Sequence, residues 1–200
     1  KISVRKFLLK NFAKDFYRSY FLQSSKKLPY VDAKLAISKD FFTINKKNKW
    51  ITNIKSRRLG NFLRSKYDCL LTTAKTVNDD NPLLDCRIEG LEKKTPDLVI
   101  IDRSFSVKKN FKIFEKNNRQ IYIFTTSYNK PKESLLKKKG VKIIKLFQNG
   151  DIISDLRNVL YDLKKLGFNR ILVESGITFL SQMLQRNMIE NFYFFKSFEK

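Results

Sequence analysis

Thr76 to Arg87 reads TVNDDNPLLDCR, gathering Asp79, Asp80 and Asp85 around Pro82 and ending on Arg87, in a chain with 42 Lys and Arg against 19 Asp and Glu. Carboxylates in such a loop can orient hydroxyl or amino groups or relay a proton, and a guanidinium offers two parallel donors to phosphate oxygens. The same letters also build a turn, because Asp and Asn before Pro hydrogen-bond their own backbone. A second stretch, RILVESGITF, reads as a strand ending in Glu174 and Ser175, then Gly176 and a helix start. N–H groups at a helix N-terminus can hold a phosphate, and a lone glycine lets it approach. The chain has no histidine, which removes the commonest general base, the usual catalytic triads and most zinc sites. Chemistry must therefore rest on carboxylates, Lys, Tyr or a borrowed cofactor. Cys69 and Cys86 lack metal-site spacing and are too few for a disulfide framework, so no metal site is expected.

The elements that position these residues follow from periodicity. Val4, Leu8, Phe12, Phe16 and Tyr20 recur every four residues, which predicts an amphipathic helix ahead of SSKKLP. Tyr30 to Ser38 alternates, with Val31, Ala33, Leu35 and Ile37 on one face of a strand and Asp32, Lys34, Ala36 and Ser38 on the other. Thr52 or Asn53 caps a helix carrying Leu59, Phe62 and Leu63. Strand signals then interleave with helices: CLLTT, DLVIID, QIYIFTT, a lysine-rich helix stopped by Gly140, VKIIKL, a helix capped by Ser154 and stopped by Gly167, RILVES, a short helix from about Thr178, and NFYFF. This pattern predicts an α/β fold with a largely parallel sheet covered on both faces.

A length of 200 residues with 42% hydrophobic content suits one domain. No apolar run approaches a membrane span, and lysines interrupt the N-terminal segment too often for a signal peptide; a cytoplasmic protein is expected. The net charge of +23 would suit a polyanion, but the lysines are spread along the whole chain, which fits a solvated surface and not nucleic-acid binding. Neither GxGxxG nor a Walker A loop occurs.

Taken in order, PYVDAKLAISKD, KWITN, TVNDDNPLLDCR, DLVIID and ILVESGITF closely resemble the reductase domain of the riboflavin-biosynthesis enzyme usually fused to a pyrimidine deaminase, from about Pro29 to about Phe195. The resemblance implies a dihydrofolate-reductase-like fold, a mixed, largely parallel sheet flanked by helices, with NADPH across the strand ends. It implies reduction of 5-amino-6-(5-phosphoribosylamino)uracil to its ribitylamino product, a phosphorylated ribosylaminopyrimidine as the partner, and a homodimer in the full-length protein. Asp80, Asn81 and Pro82 match the family's Asp-Asn-Pro loop. Carried over, Ala36, Trp50, Thr76, Asp80, Arg103 and the turn of Gly176, Ile177, Thr178, Phe179 and Leu180 line the NADPH site. Asn48, Arg64, Leu84, Arg87 and Glu174 face the substrate, with Arg64 and Arg87 as a fork for its phosphate. Lys34, Asp80 and Glu174 become the catalytic candidates, Lys34 to polarise a carbonyl or favour the open-chain sugar. Trp50 also reads as core packing, and Lys34 as a plain edge-strand lysine.

The departures are specific. Asp40-Phe41 replaces the family's Asp-Gly, so the loop after Asp40 is expected to take a different path. Glu174-Ser175-Gly176-Ile177 replaces Glu-Gly-Gly-Pro, and Arg103 stands where serine is common. The deaminase's His-x-Glu and Pro-Cys-x-x-Cys signatures are missing. Residues 1–28 therefore read as a helix and linker, the tail of an upstream deaminase domain, and residues 29–200 as the reductase domain, cut at its C-terminus. The alternatives are another dihydrofolate-reductase-like pterin or pyrimidine reductase, or a basic nucleic-acid-binding module.

Overall fold

Seven short β-rich runs set the architecture of the computed structural model, which describes residues 2–21, 28–43, 51–115, 118–146 and 152–197. They form strands β1 (Tyr30–Ile37), β2 (Cys69–Thr73), β3 (Asp97–Ile101), β4 (Ile121–Thr125), β5 (Val141–Lys145), β6 (Arg170–Glu174) and β7 (Asn191–Lys196). One sheet joins them in the order β5-β4-β3-β2-β6-β1-β7, and every described pairing is parallel. Parallel strands need crossover connections and covered faces, which explains the unbroken apolar runs LLT, LVII and IYIF. The expected α/β fold with a largely parallel sheet is borne out.

The pleat sends alternate residues to opposite faces. One face packs Val31, Ala33, Leu71, Val99, Phe124 and Val173 against helices α5 (Ile152–Lys165) and α6 (Ile177–Gln185) through Leu156, Leu160, Leu163 and Met183. The other packs Leu70, Leu98, Ile100 and Leu172 against Val77 of helix α3 (Ala74–Asp80), Leu136 of α4 (Lys130–Lys138) and the loop side chains Phe105, Phe111 and Ile113. Helix α2 (Ile54–Arg64) also covers this second face: a methyl added at its buried Gly60 would meet Lys34 Cε at 3.9 Å. Asn53 is its cap, accepting from Ser56 N at 2.9 Å, which decides between the two candidates.

The alternation expected along β1 holds, with one addition. Asp32 is fully buried and anchors the strand, accepting from Tyr67 Oη and from Asn191 N and Nδ2. Burial raises its pKa, the hydrogen bonds from Tyr67 and Asn191 opposing. Because β1 lies between β6 and β7, Lys34 is no edge-strand lysine.

Four local expectations change. The helix expected from Val4 starts only at Lys10, as α1 (Lys10–Phe16), because Phe7 (φ 67°) and Leu9 (φ 52°) take left-handed backbone; its apolar side chains are exposed. Helix α5 begins at Ile152, which puts Ser154 inside its first turn and not at the cap. The segment expected as a turn around Asp80 is the end of α3, a helix capped by Thr73 and closed by Asn81 at φ 41°. Asn tolerates that conformation, and the residue before Pro avoids the right-handed helical region. Finally, Phe41 reaches the left-handed backbone (φ 67°) that a glycine would adopt freely, so its side chain does not bar the loop from that conformation. Ser38 holds it: Phe41 N donates to Ser38 O, Phe42 N donates to Ser38 Oγ, and Ser38 N donates to Phe42 O. Lys196 Nζ lies 4.1 Å from the centre of the Phe41 ring.

Strain at Phe41 predicts an ordering. Phe41→Gly should be as stable as the parent or more so, whereas Phe41→Val, β-branched at positive φ, should be less stable than Phe41→Gly by about 1–2 kcal/mol. Urea midpoints of the three proteins give the comparison, and equal midpoints for the Gly and Val variants would remove strain from the account.

Candidate active site

All described strands being parallel, their C-terminal ends line one side of the sheet, where Glu174 ends β6 and Thr73 ends β2. This edge is where open α/β sheets present their ligands. Register puts Lys34 of β1 opposite Glu174, and α2 delivers Arg64 from the layer above. Arg64 Nε donates to Glu174 Oε1 at 2.7 Å and its Nη2 to Oε2 at 3.0 Å, a bidentate pair in which both side chains are nearly sealed from solvent. Lys34 Nζ stands 3.8 Å from Glu174 Oε2 and 5.5 Å from the Phe195 ring centre.

Burial alone would raise the Glu174 pKa, but the Arg64 and Lys34 charges, the Arg64 hydrogen bonds and the Arg87 charge outweigh it and hold the carboxyl at about 2. The group is thus a fixed anion at neutral pH. It can accept hydrogen bonds and balance cations there, but it has no proton to give. The pair keeps Arg64 charged as well: desolvation works against the cation, and Glu174 more than compensates.

Arg64 extends the cluster to the segment after α3. Its Nη1 donates to Asp85 O at 3.0 Å and to Asn61 Oδ1 at 3.4 Å, and Asn61 Oδ1 accepts from Arg87 N at 3.3 Å. Arg87 Nε lies 3.2 Å from Asp85 Oδ1 with about half of its side chain in solvent. The fork expected from Arg64 and Arg87 is therefore not assembled in this geometry. Arg64 is committed to Glu174 and the backbone, while Arg87 is the arginine facing outward.

A second group gathers at the ends of β2 and β6. Thr73 Oγ1, Thr76 Oγ1 and Ser175 Oγ lie 3.2, 3.0 and 3.1 Å apart pairwise, beside Gly176, the N-cap of α6. Gly176 has φ −65°, open to any residue, and a Cβ there would meet nothing within 4 Å. The glycine thus serves no backbone need of its own. It leaves room in front of the helix N-terminus, where first-turn N–H groups and hydroxyls fit a phosphate-bearing cofactor.

The structure divides the remaining sequence-predicted residues. Thr76 belongs to this second group, and Gly176, Ile177 and Thr178 follow Ser175 as the cap and first turn of α6. Phe179 and Leu180 turn their side chains into the core, and Leu180 N is used by Gly176 O, so Leu180 has neither side chain nor N–H to offer a ligand. Ala36 lies on the Lys34 face, paired with Phe195. Leu84 is buried, leaving its backbone as its contribution. Asp80 ends α3; burial and then the neighbouring Asp79 raise its pKa, with Lys75 opposing. Arg103, in the turn two residues beyond β3, has its Nε 3.2 Å from Asp155 Oδ2 of α5, and its carbonyl accepts from Thr126 N and Ser127 N. Asn48 and Trp50 lie outside the described residues. Asp85 and Ser175, noted in the sequence but given no role there, join Asn61 and Thr73 in these contacts. Thr73 was legible as a helix cap, and Ser175 as a hydroxyl beside Gly176; Asp85 and Asn61 act by contacts that no local pattern announces. Among the described residues no cluster of His, Cys, Asp and Glu could hold a metal ion, and no helix is long and apolar enough to cross a membrane.

Known proteins supply the context. A family model described as the RibD C-terminal domain matches residues 29–196. The riboflavin biosynthesis protein RibD of Aquifex aeolicus is 28% identical over 185 residues, 92% of this chain and 50% of that protein. The 5-amino-6-(5-phosphoribosylamino)uracil reductase of Buchnera aphidicola is 29% identical over 160 residues, 73% of each. A solved deaminase/reductase from Thermotoga maritima, the reductase activity again being that for 5-amino-6-(5-phosphoribosylamino)uracil, superposes with a TM-score of 0.71 at 28% identity, covering 89% of this chain and 48% of that one. The chain spans about half the length of the first of these and of the solved structure.

The ionised Glu174 has a measurable consequence. Folding lowers its pKa, so its contribution to stability is full above the unfolded carboxylate range near 4.3 and is lost as pH falls towards about 2. Glu174→Gln leaves Arg64 buried without its anion and should cost about 3–5 kcal/mol at pH 7. Between pH 5 and 3 the variant's stability should fall less steeply than the parent's. Urea titrations across that range decide, and parallel curves would contradict the assignment.

Proposed function

The chain belongs to the RibD C-terminal domain family, and from that membership and the geometry of the charged cluster we propose that it reduces 5-amino-6-(5-phosphoribosylamino)uracil to the ribitylamino product with NADPH. The observation that carries the proposal is the fixed Glu174 anion, flanked by Lys34 and Arg87 at the strand ends beside the Thr73, Thr76 and Ser175 hydroxyls. It supports two neighbouring subsites, one for a phosphate-bearing cofactor and one for a polar, phosphorylated substrate.

The nicotinamide cofactor supplies a hydride when bound. Reduction of the opened sugar would place that hydride on the anomeric carbon and a proton from solvent on the nitrogen to which that carbon was doubly bonded. The protein's task is position and charge. Thr76, Ser175, Gly176, Ile177 and Thr178 bind the cofactor's phosphates at the start of α6, with Asp80 and Ala36 at its border. Glu174 accepts hydrogen bonds from the pyrimidine or ribose and keeps Lys34 beside the reacting carbon. The Lys34 ammonium polarises the sugar oxygen and favours the open-chain form. Arg87 turns its half-exposed guanidinium to the ribose phosphate, and Arg64 acts indirectly by fixing Glu174 and Asp85 O. A chain without histidine suits this division.

The test is steady-state reduction of the pyrimidine by the parent, Lys34→Met and Arg87→Lys, with NADPH binding followed by fluorescence. Lys34→Met should lower kcat by roughly 10²–10⁴-fold with NADPH affinity unchanged. Arg87→Lys keeps the charge but loses the planar fork, so it should lower kcat/KM by about tenfold to a hundredfold, chiefly through KM. Undiminished turnover by both variants would remove them from the site. Failure to bind NADPH, with tight salt-sensitive RNA binding instead, would overturn the enzymatic reading.

A further inference from the structure

Arg119 stands two residues before β4, in a stretch (NNRQIY) without any signature. Its guanidinium nevertheless reaches the segment that leads to Arg87: Nη1 donates to Leu84 O at 2.5 Å and Nη2 to Leu83 O at 2.6 Å, with Pro96 O 3.5 Å from Nη1. Leu84 is the residue whose backbone needs holding. It takes φ 52°, a conformation unfavourable for a branched side chain, with that side chain buried in the core. Immediately beyond it, Asp85 O accepts from Arg64, Cys86 N donates to Thr95 Oγ1 at 3.1 Å and Arg87 N donates to Asn61 Oδ1. The strained residue therefore sets the direction from which Asp85 and Arg87 meet the Glu174 cluster.

We propose that Arg119 is a positioning residue for the substrate: it clamps the Leu83 and Leu84 carbonyls, keeps Leu84 left-handed, and so aims Asp85 and Arg87 beside Glu174. The inference rests on the proposed reading, in which Arg87 meets the ribose phosphate. A half-buried guanidinium suits the task because its fixed fork spans two successive carbonyls, which an ammonium cannot match. Burial lowers its pKa to about 10, with Asp85 opposing and Arg64 adding to the effect, so the clamp stays charged at neutral pH. It touches no atom of the cofactor group at Thr73, Thr76 and Ser175, which separates its effect from cofactor binding.

The test uses Arg119→Gln and Arg119→Lys, read by amide exchange at Cys86 and Arg87 and by steady-state kinetics. In Arg119→Gln both amides should exchange at least about tenfold faster while the β2 and β3 amides stay protected. Its substrate KM should rise roughly tenfold to a hundredfold, kcat should stay within about threefold, and NADPH affinity should hold. Arg119→Lys should fall between Gln and the parent in both readouts, and carries the test alone if the Gln variant does not fold. Unchanged exchange and KM would overturn the proposal. So would a joint fall of kcat, NADPH affinity and global stability, the mark of a merely structural residue. A parent that binds NADPH but does not reduce the pyrimidine would overturn the functional reading and the substrate part of this inference with it, while the exchange data would still judge the clamp on its own.

Discussion

The bidentate pair between Arg64 and Glu174 is the contact on which the rest of the site depends. An ion pair this buried is a doubtful source of stability, since desolvation of both charges offsets much of their attraction. Its value lies in what it fixes. Glu174 ends the central strand β6, and Arg64 closes α2, so one contact ties a helix to the sheet and sets the height of that helix above Lys34. The remaining donors of Arg64 then fasten Asp85 O and Asn61, and through them the approach of Arg87. Loss of either partner would leave a stranded charge and also release the geometry around it.

Two kinds of chemistry are kept apart by the strand order. On one side of Glu174 lie hydroxyls and a helix N-terminus with space in front of Gly176, suited to phosphate held by neutral donors. On the other lies Lys34 of β1, a cation that with Arg64 balances the fixed anion. In the proposed reading the arrangement gives a hydride donor and a polar acceptor adjacent places. Positioning and preorganised charge are the means of catalysis open to such a site.

The sheet was legible in the sequence because its signal is local: alternation in β1, apolar runs in the other strands, glycines at the helix ends Gly140 and Gly167. The resemblance marked Lys34, Glu174, Thr76 and Gly176 as candidates, and the structure brings Lys34 to Glu174 and Thr76 to Ser175, the residue before Gly176. What escaped was set by tertiary contact. Phe41 keeps a backbone that its side chain disfavours, because Ser38 gathers three hydrogen bonds around it. Asp80 ends a helix, because Thr73 caps it and Asn81 can turn left-handed before Pro82. Arg64 and Arg87 looked alike as basic residues, yet one is sealed against Glu174 and the other is half in solvent. No periodicity distinguishes those two fates.

The claim that Glu174 is a permanent anion is open to direct measurement. Carbon-13 labelling of glutamate side chains allows its carboxyl resonance to be followed while pH is lowered from 7. With the carboxyl held at about 2, the resonance should stay at its ionised position down to pH 4, whereas exposed glutamates begin to titrate near their ordinary value of roughly 4.3. A titration midpoint for Glu174 between pH 4 and 7 would mean that Arg64 does not hold it ionised, and would contradict the account at its centre.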